Sequence, residues 1–112
     1  MCYGTPASES NPWENQMSVY ALVELEIKNM DGMGPYMTAV SDTIARHGGK
    51  YLVRGGNTEI VEGGLGQYPV KVILEFPSMA AAKGWYNSAE YQAILPHRIA
   101  NSNGNFIWAE GA

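Results

Sequence analysis

An arginine and a glutamate on paired strands can hold an oxyanion and manage its proton, and Arg54 and Glu75 are the candidates for that work in this chain. If the hairpin joining their strands is symmetric about Gly64-Leu65, the two side chains stand opposite each other. Arg54 then binds a carboxylate or other oxyanion through its planar fork, with Glu75 orienting it or acting as base. The same geometry describes a buried ion pair that only fixes strand register or a subunit contact. His97, between Pro96 and Arg98, is a further candidate for proton handling, and Arg98 lies with it on a pocket rim or helix end. Trp85, Tyr86 and Tyr91 fall within two helical turns, with Tyr36, Tyr51 and Phe76 as neighbours. As a wall they suit a flat ligand, and as core they need none. A buried tyrosine hydroxyl requires a partner and can offer its proton to a bound molecule.

Other motifs carry less. His47 reads as a residue at a helix C-terminus. There is no His-x-x-x-His spacing and no cysteine cluster, so neither a metal nor a cofactor is expected. The Gly63-Gly64-Leu65-Gly66 run leads into a strand rather than a helix, which makes it a turn and not a phosphate loop. Cys2, the single cysteine, can form no internal disulfide and sits in a segment poorly suited to activating a nucleophile.

The elements that must position these residues follow from periodicity. Residues 1–17 are rich in Ser, Pro, Asn and Glu, and read as a flexible tail carrying Trp13; residues 18–112 read as the folded domain. From Val19 to Lys28 apolar and polar residues alternate, which predicts a strand with one apolar face. Gly34-Pro35 opens a helix whose buried stripe holds Tyr36, Val40 and Ile44, and Gly48-Gly49 closes it. Lys50 to Arg54 is a short strand, with Tyr51 and Val53 opposed to Leu52 and the charges. The alternation resumes over Thr58 to Glu62, which predicts a continuation of that strand past a bulge at Gly55-Gly56. A hairpin turn at 63–66 leads to a strand from Pro69 to Phe76. Ser78 caps a helix to Tyr86, and Ser88 caps a short one through Tyr91, Ile94 and Leu95. A loop over Asn101 to Asn105 and a closing strand, Phe106 to Ala109, complete the chain.

The order β-α-β-β-α-β predicts an α+β, ferredoxin-like domain: a four-stranded antiparallel sheet with its helices on one face. The opposite face, with Glu24, Glu26, Lys50, Arg54, Lys71 and Glu75 among Tyr20, Leu22, Leu52 and Ile73, is too apolar to be left wholly in water. Two copies packed sheet to sheet would cover it.

Length and charge agree with one small domain. With 112 residues, 13 glycines and 16% charged residues, the chain has one core and few charges to cover a monomer's surface, which points to a homo-oligomer. Its net charge is −4 and its seven basic residues are scattered, which argues against a nucleic-acid partner. No apolar run is long enough for a membrane span, and the N-terminus lacks the basic start and apolar stretch of a signal peptide, so a cytoplasmic protein is expected.

Several motifs together resemble a known family. His47-Gly-Gly-Lys-Tyr-Leu-Val-Arg-Gly-Gly56, Val61-Glu62-Gly63, Leu74-Glu-Phe-Pro-Ser78, Trp85-Tyr-Asn-Ser-Ala-Glu-Tyr-Gln92 and Glu110-Gly111 occur in the order found in the domain of unknown function 1330 family. The resemblance runs from about Tyr20 to Gly111. It departs at Gln67-Tyr68-Pro69, where a basic residue is usual, and at Ala89, where proline is common. The resemblance implies a dimeric α/β barrel of ferredoxin-like subunits. It also implies kinship with cofactor-free monooxygenases, lactone isomerases, polyketide cyclases and haem-degrading enzymes, in a branch with no settled activity.

The expected protein is therefore a homodimer that binds a small aromatic or hydrophobic oxygenated molecule. If it is an enzyme, the chemistry is cofactor-independent isomerisation, cyclisation or oxygenation. Arg54 would polarise an oxygen, Glu75 or His97 would move a proton, and Trp85, Tyr86, Tyr91 and Arg98 would hold the ligand. The alternative is a non-catalytic binding or assembly module whose charged residues only stabilise the dimer.

Overall fold

The structure is a computed structural model that describes residues 17–63 and 68–112. The expected tail, apart from Met17, and most of the expected hairpin turn lie outside the described residues. The elements run β1 (Val19–Ile27), α1 (Gly34–Arg46), β2 (Lys50–Arg54), β3 (Val70–Phe76), α2 (Met79–Tyr86), α3 (Ala89–Asn101) and β4 (Ser102–Glu110). The sheet order is β2-β3-β1-β4, with every neighbouring pair antiparallel. This is the ferredoxin-like α+β arrangement, with the second helical connection split into two helices.

Local chemistry explains most boundaries. Pro35 lies in the first turn of α1, where a missing N–H costs nothing. Gly48 stops α1 with a φ of 79°, the left-handed conformation that glycine adopts without strain. Ser78 and Ser88 cap α2 and α3, their hydroxyls accepting from the Ala81 and Tyr91 N–H groups at 3.0 and 3.2 Å.

Three boundaries differ from expectation. Residues 56–61 form no strand. The helix begun at Ser88 runs 13 residues, through Pro96, instead of stopping near Leu95. Pro96 is tolerated because it lies on the exposed side, where the carbonyl deprived of its donor can reach water. β4 starts directly after α3 at Ser102, so the expected loop is strand: Ser102, Asn103, Gly104 and Asn105 pair with Ile27, Glu26, Leu25 and Glu24.

The core sits between the sheet and the helices. Val19, Ala21, Leu74 and Phe76 meet Val40, Ile44, Ala82, Trp85, Tyr91 and Leu95, all buried. Trp85 is its centre. Its ring lies 4.1 Å from that of Tyr91 and 5.3 Å from that of Phe76, centroid to centroid, with Tyr86, Phe106 and Trp108 around it. Its indole N–H donates to the Thr43 hydroxyl at 3.0 Å, and that hydroxyl donates to the Val40 carbonyl. Thr43→Val keeps the shape and strands the indole N–H, so it should cost about 1–2 kcal/mol. In a domain of this size that lowers Tm by roughly 4–8 °C per kcal/mol, measurable by circular dichroism. In a Trp85→Phe background the same substitution should cost distinctly less, since no indole N–H remains.

Candidate functional site

The residues on the helix side of the sheet do not fill the layer at one end. Between the C-terminal half of β1, the start of β3 and the first turn of α1 lies a cavity of about 310 Å³. Its walls are apolar: Val23, Leu25 and Ile27 from β1, Val70, Val72 and Leu74 from β3, Val40 and Ile44 from α1, and Trp85 and Phe106 behind them. Met30, Met37 and Arg54 are exposed and also line it, so they form its mouth. The polar lining is Tyr36, Tyr51, Arg54 and Arg98, with the Gly55 backbone beside Arg54.

Arg54 reaches the cavity because β2 is bulged. The register of β2 against β3 shifts between Tyr51 and Val53, leaving Leu52 as the extra residue. Lys50 therefore faces Glu75, Tyr51 faces Leu74, Val53 faces Ile73 and Arg54 faces Val72. A one-residue insertion reverses which side each later residue occupies. Arg54 and Glu75 thus lie on opposite faces, and the expected pair across the hairpin does not form. The expected bulge at Gly55-Gly56 sits three residues earlier. Gly55 ends the strand at a φ of 71°, its N–H donating to the Lys71 carbonyl at 2.7 Å. The Arg54 guanidinium stacks on the Tyr51 ring, 4.5 Å from its centroid.

Glu75 belongs to the helix-free face, in a polar ladder. It accepts from the Tyr20 hydroxyl at 3.1 Å and pairs with Lys50 at 3.3 Å. Beside it Glu24 pairs with Lys71 at 3.5 Å and accepts from Asn105 at 2.7 Å, and Glu26 accepts from Asn103 at 3.2 Å. The hydrogen bond from Tyr20, joined by Lys50, holds the Glu75 carboxyl below its ordinary pKa. Asn105, helped by Lys71, does the same for Glu24. His97 is exposed on α3, and its carbonyl accepts from Asn101. It does not line the cavity. His47 instead meets Glu90 at 3.3 Å.

Arg98 does line the cavity, and it is buried, with 9% of its surface exposed. It occupies the last turn of α3 on the stripe of Tyr91, Ile94 and Leu95, a position where an apolar residue would ordinarily stand. Its guanidinium lies over the Tyr36 ring at 5.7 Å. Burial opposes its charge, but the Tyr91 and Tyr36 phenols beside it more than compensate, so its pKa rises and it stays a cation. The Tyr36 and Tyr91 hydroxyls share a hydrogen bond of 2.9 Å. Burial, above all, raises both phenol pKa values, so both remain protonated. Trp85 forms a wall of the cavity, Tyr91 stands behind Tyr36, and Tyr86 packs on Trp85 without reaching the cavity lining.

The sequence spacing contained a signal for Arg98: positions 91, 94, 95 and 98 share one helical face once the helix is carried past Pro96. No pattern marked Met30, Met33 and Met37 as lining. Among the described residues no group of three or more His, Cys, Asp or Glu side chains converges as a metal site. No helix among them is long and apolar enough to cross a membrane.

The match to a family model covers residues 18–112 and carries the description domain of unknown function (DUF1330). The chain belongs to this family. Among curated proteins, none matches it. Its fold is similar to that of two crystal structures of the RPA0582 protein. The methylated form has 18% identity and a TM-score of 0.71 over 87% of this chain and 82% of that one. The other, described as a protein of unknown function from Rhodopseudomonas palustris, has 20% identity and a TM-score of 0.66 over 87% and 84%. A conserved protein of unknown function from Bacteroides thetaiotaomicron, described as a possible oxidoreductase, has 12% identity and a TM-score of 0.56 over 85% and 98%. At these identities the likeness concerns the fold.

Replacing Tyr20 with Phe should raise the Glu75 pKa toward the ordinary glutamate value of about 4.3, read from its side-chain carbon shifts in an NMR titration. Because the folded pKa lies below the unfolded one, the contribution to stability is present above the unfolded value and is lost as pH falls through the folded one. The Tyr20→Phe protein should therefore lose less urea stability than wild type on acidification through that range.

Proposed function

We propose that this chain is a small-molecule-binding protein whose cavity takes an apolar, flat body bearing an oxygen function. The observation that carries the reading is the cavity itself: an apolar volume, open at one mouth, with Arg98 and Tyr36 as polar residues in its lining. Arg54 at the mouth supplies a second cation, and Trp85 with Phe106 supplies flat walls. Among the described lining residues there is neither a carboxylate nor a histidine. The chemistry offered is accordingly binding, together with polarisation of a carbonyl by Arg98 and Tyr36. Any turnover would be of a substrate whose proton leaves to water, without Glu75 or His97.

The test uses 2-naphthol, a flat neutral molecule with one oxygen, added to ¹⁵N-labelled protein. Saturable shifts should appear at Val23, Val70, Val72 and the Trp85 indole, and Val70→Trp, which fills the cavity at its strand side, should abolish them. Shifts confined to the helix-free face, or none, overturn the reading.

We further propose that two copies associate through the helix-free face. Leu22 and Ile107 are 37% and 57% exposed there, around a groove of about 560 Å³ that Val53 and Ile73 also line. Such a surface is costly to leave in water. Light scattering should give a dimer, and Ile107→Glu should shift it to monomer.

A further inference from the structure

We propose that the ligand of this cavity is a monocarboxylate, and that its carboxylate is the counterion of Arg98. The inference rests on the reading of the cavity as a binding site and names the ligand's chemical class.

Arg98 is a buried cation without a buried anion. Its Nε has no hydrogen-bond partner, and among the described residues no carboxylate forms an ion pair with it. The Tyr36 ring and the Tyr91 hydroxyl keep the guanidinium charged, but both are neutral partners, so they leave the place of a counterion unfilled. Nor is it used to cap its own helix. The His97 carbonyl accepts from Asn101 at 2.7 Å, the Arg98 carbonyl from Ser102 at 2.6 Å, and the Asn101 carbonyl from the Lys28 and Asn29 N–H groups. These three carbonyls are satisfied without it.

The surroundings favour an anion and limit its charge. The chain carries a net charge of −4, yet the charged residues among the described lining are Arg54 and Arg98, both cationic. The Tyr36 hydroxyl supplies a second donor in the arrangement in which Tyr91 donates to it, because its own proton is then available to a ligand. Two backbone donors at the lining are already committed, Gly55 N–H to Lys71 and Met37 N–H to Met33. One guanidinium fork and one phenol match the two oxygens of a carboxylate, not the three oxygens and higher charge of a phosphate. The volume of about 310 Å³ is that of about ten waters, which admits a ligand on the order of a dozen non-hydrogen atoms.

2-Naphthoate and 2-naphthamide have the same shape and differ in charge, so their affinities isolate the anion. Calorimetry on the wild-type protein should show 2-naphthoate binding about 10- to 100-fold tighter than 2-naphthamide. Arg98→Gln should remove that advantage, bringing the affinities of the two compounds within a few fold of each other. The wild-type comparison needs no variant, so it stands even if Arg98→Gln fails to fold. Equal affinities for the two compounds, both displaced by Val70→Trp, overturn the carboxylate assignment and leave the cavity reading intact. Binding of neither compound overturns both. Tighter binding of 2-naphthyl phosphate than of 2-naphthoate also overturns the assignment, in favour of a phosphoryl group.

Discussion

Trp85 ties five elements together. From α2 it packs against Tyr91 of α3, Phe76 of β3 and Phe106 and Trp108 of β4, and its indole N–H is anchored on Thr43 of α1. Aromatic burial of this size dominates a core this small, and the single polar anchor fixes the ring's rotation. Because the ring's far side is a wall of the cavity, the same contact that holds the helices on the sheet also sets the cavity's shape. Stability and site are one arrangement here, not two.

Charge is distributed between the faces by a single extra residue. With Leu52 left out of the ladder, Lys50 joins the polar network around Glu75 and Arg54 turns to the cavity. The helix-free face thus carries carboxylates already paired or hydrogen-bonded, while the charged groups among the described residues of the cavity are cations. Separating signs across a sheet only one residue thick needs a register change of odd length, and the bulge is that change.

Much of the fold was legible in the chain. Alternation located β1 and β3, serines located the starts of α2 and α3, and proline and glycine bracketed α1, because each signal is local. β4 was only half legible. Its first residues, Ser102-Asn103-Gly104-Asn105, have turn chemistry, and their strand conformation comes from nine rungs shared with β1. The bulge left no mark, since Tyr51, Leu52 and Val53 are all good strand formers and only the partner strand decides which is left over. That is why Arg54 was matched with Glu75. Arg98 was noticed as a polar residue near a helix end, but its burial depended on α3 continuing through Pro96, a decision made by tertiary packing.

The junction between α3 and β4 has a dynamic consequence. Asn101 is the last helical residue and Ser102 the first of a nine-residue strand paired along its whole length, with no linker to act as a hinge. Swinging the helix outward would shear that ladder, so the guanidinium it carries is held as firmly as the sheet itself. The opposite lip is softer, because the thioether chains of Met30 and Met37 there can swivel about several single bonds. Under the proposed binding role, the guanidinium would be a fixed anchor facing a soft rim, an asymmetry that would admit guests of different outline while requiring the same chemical group at the bottom.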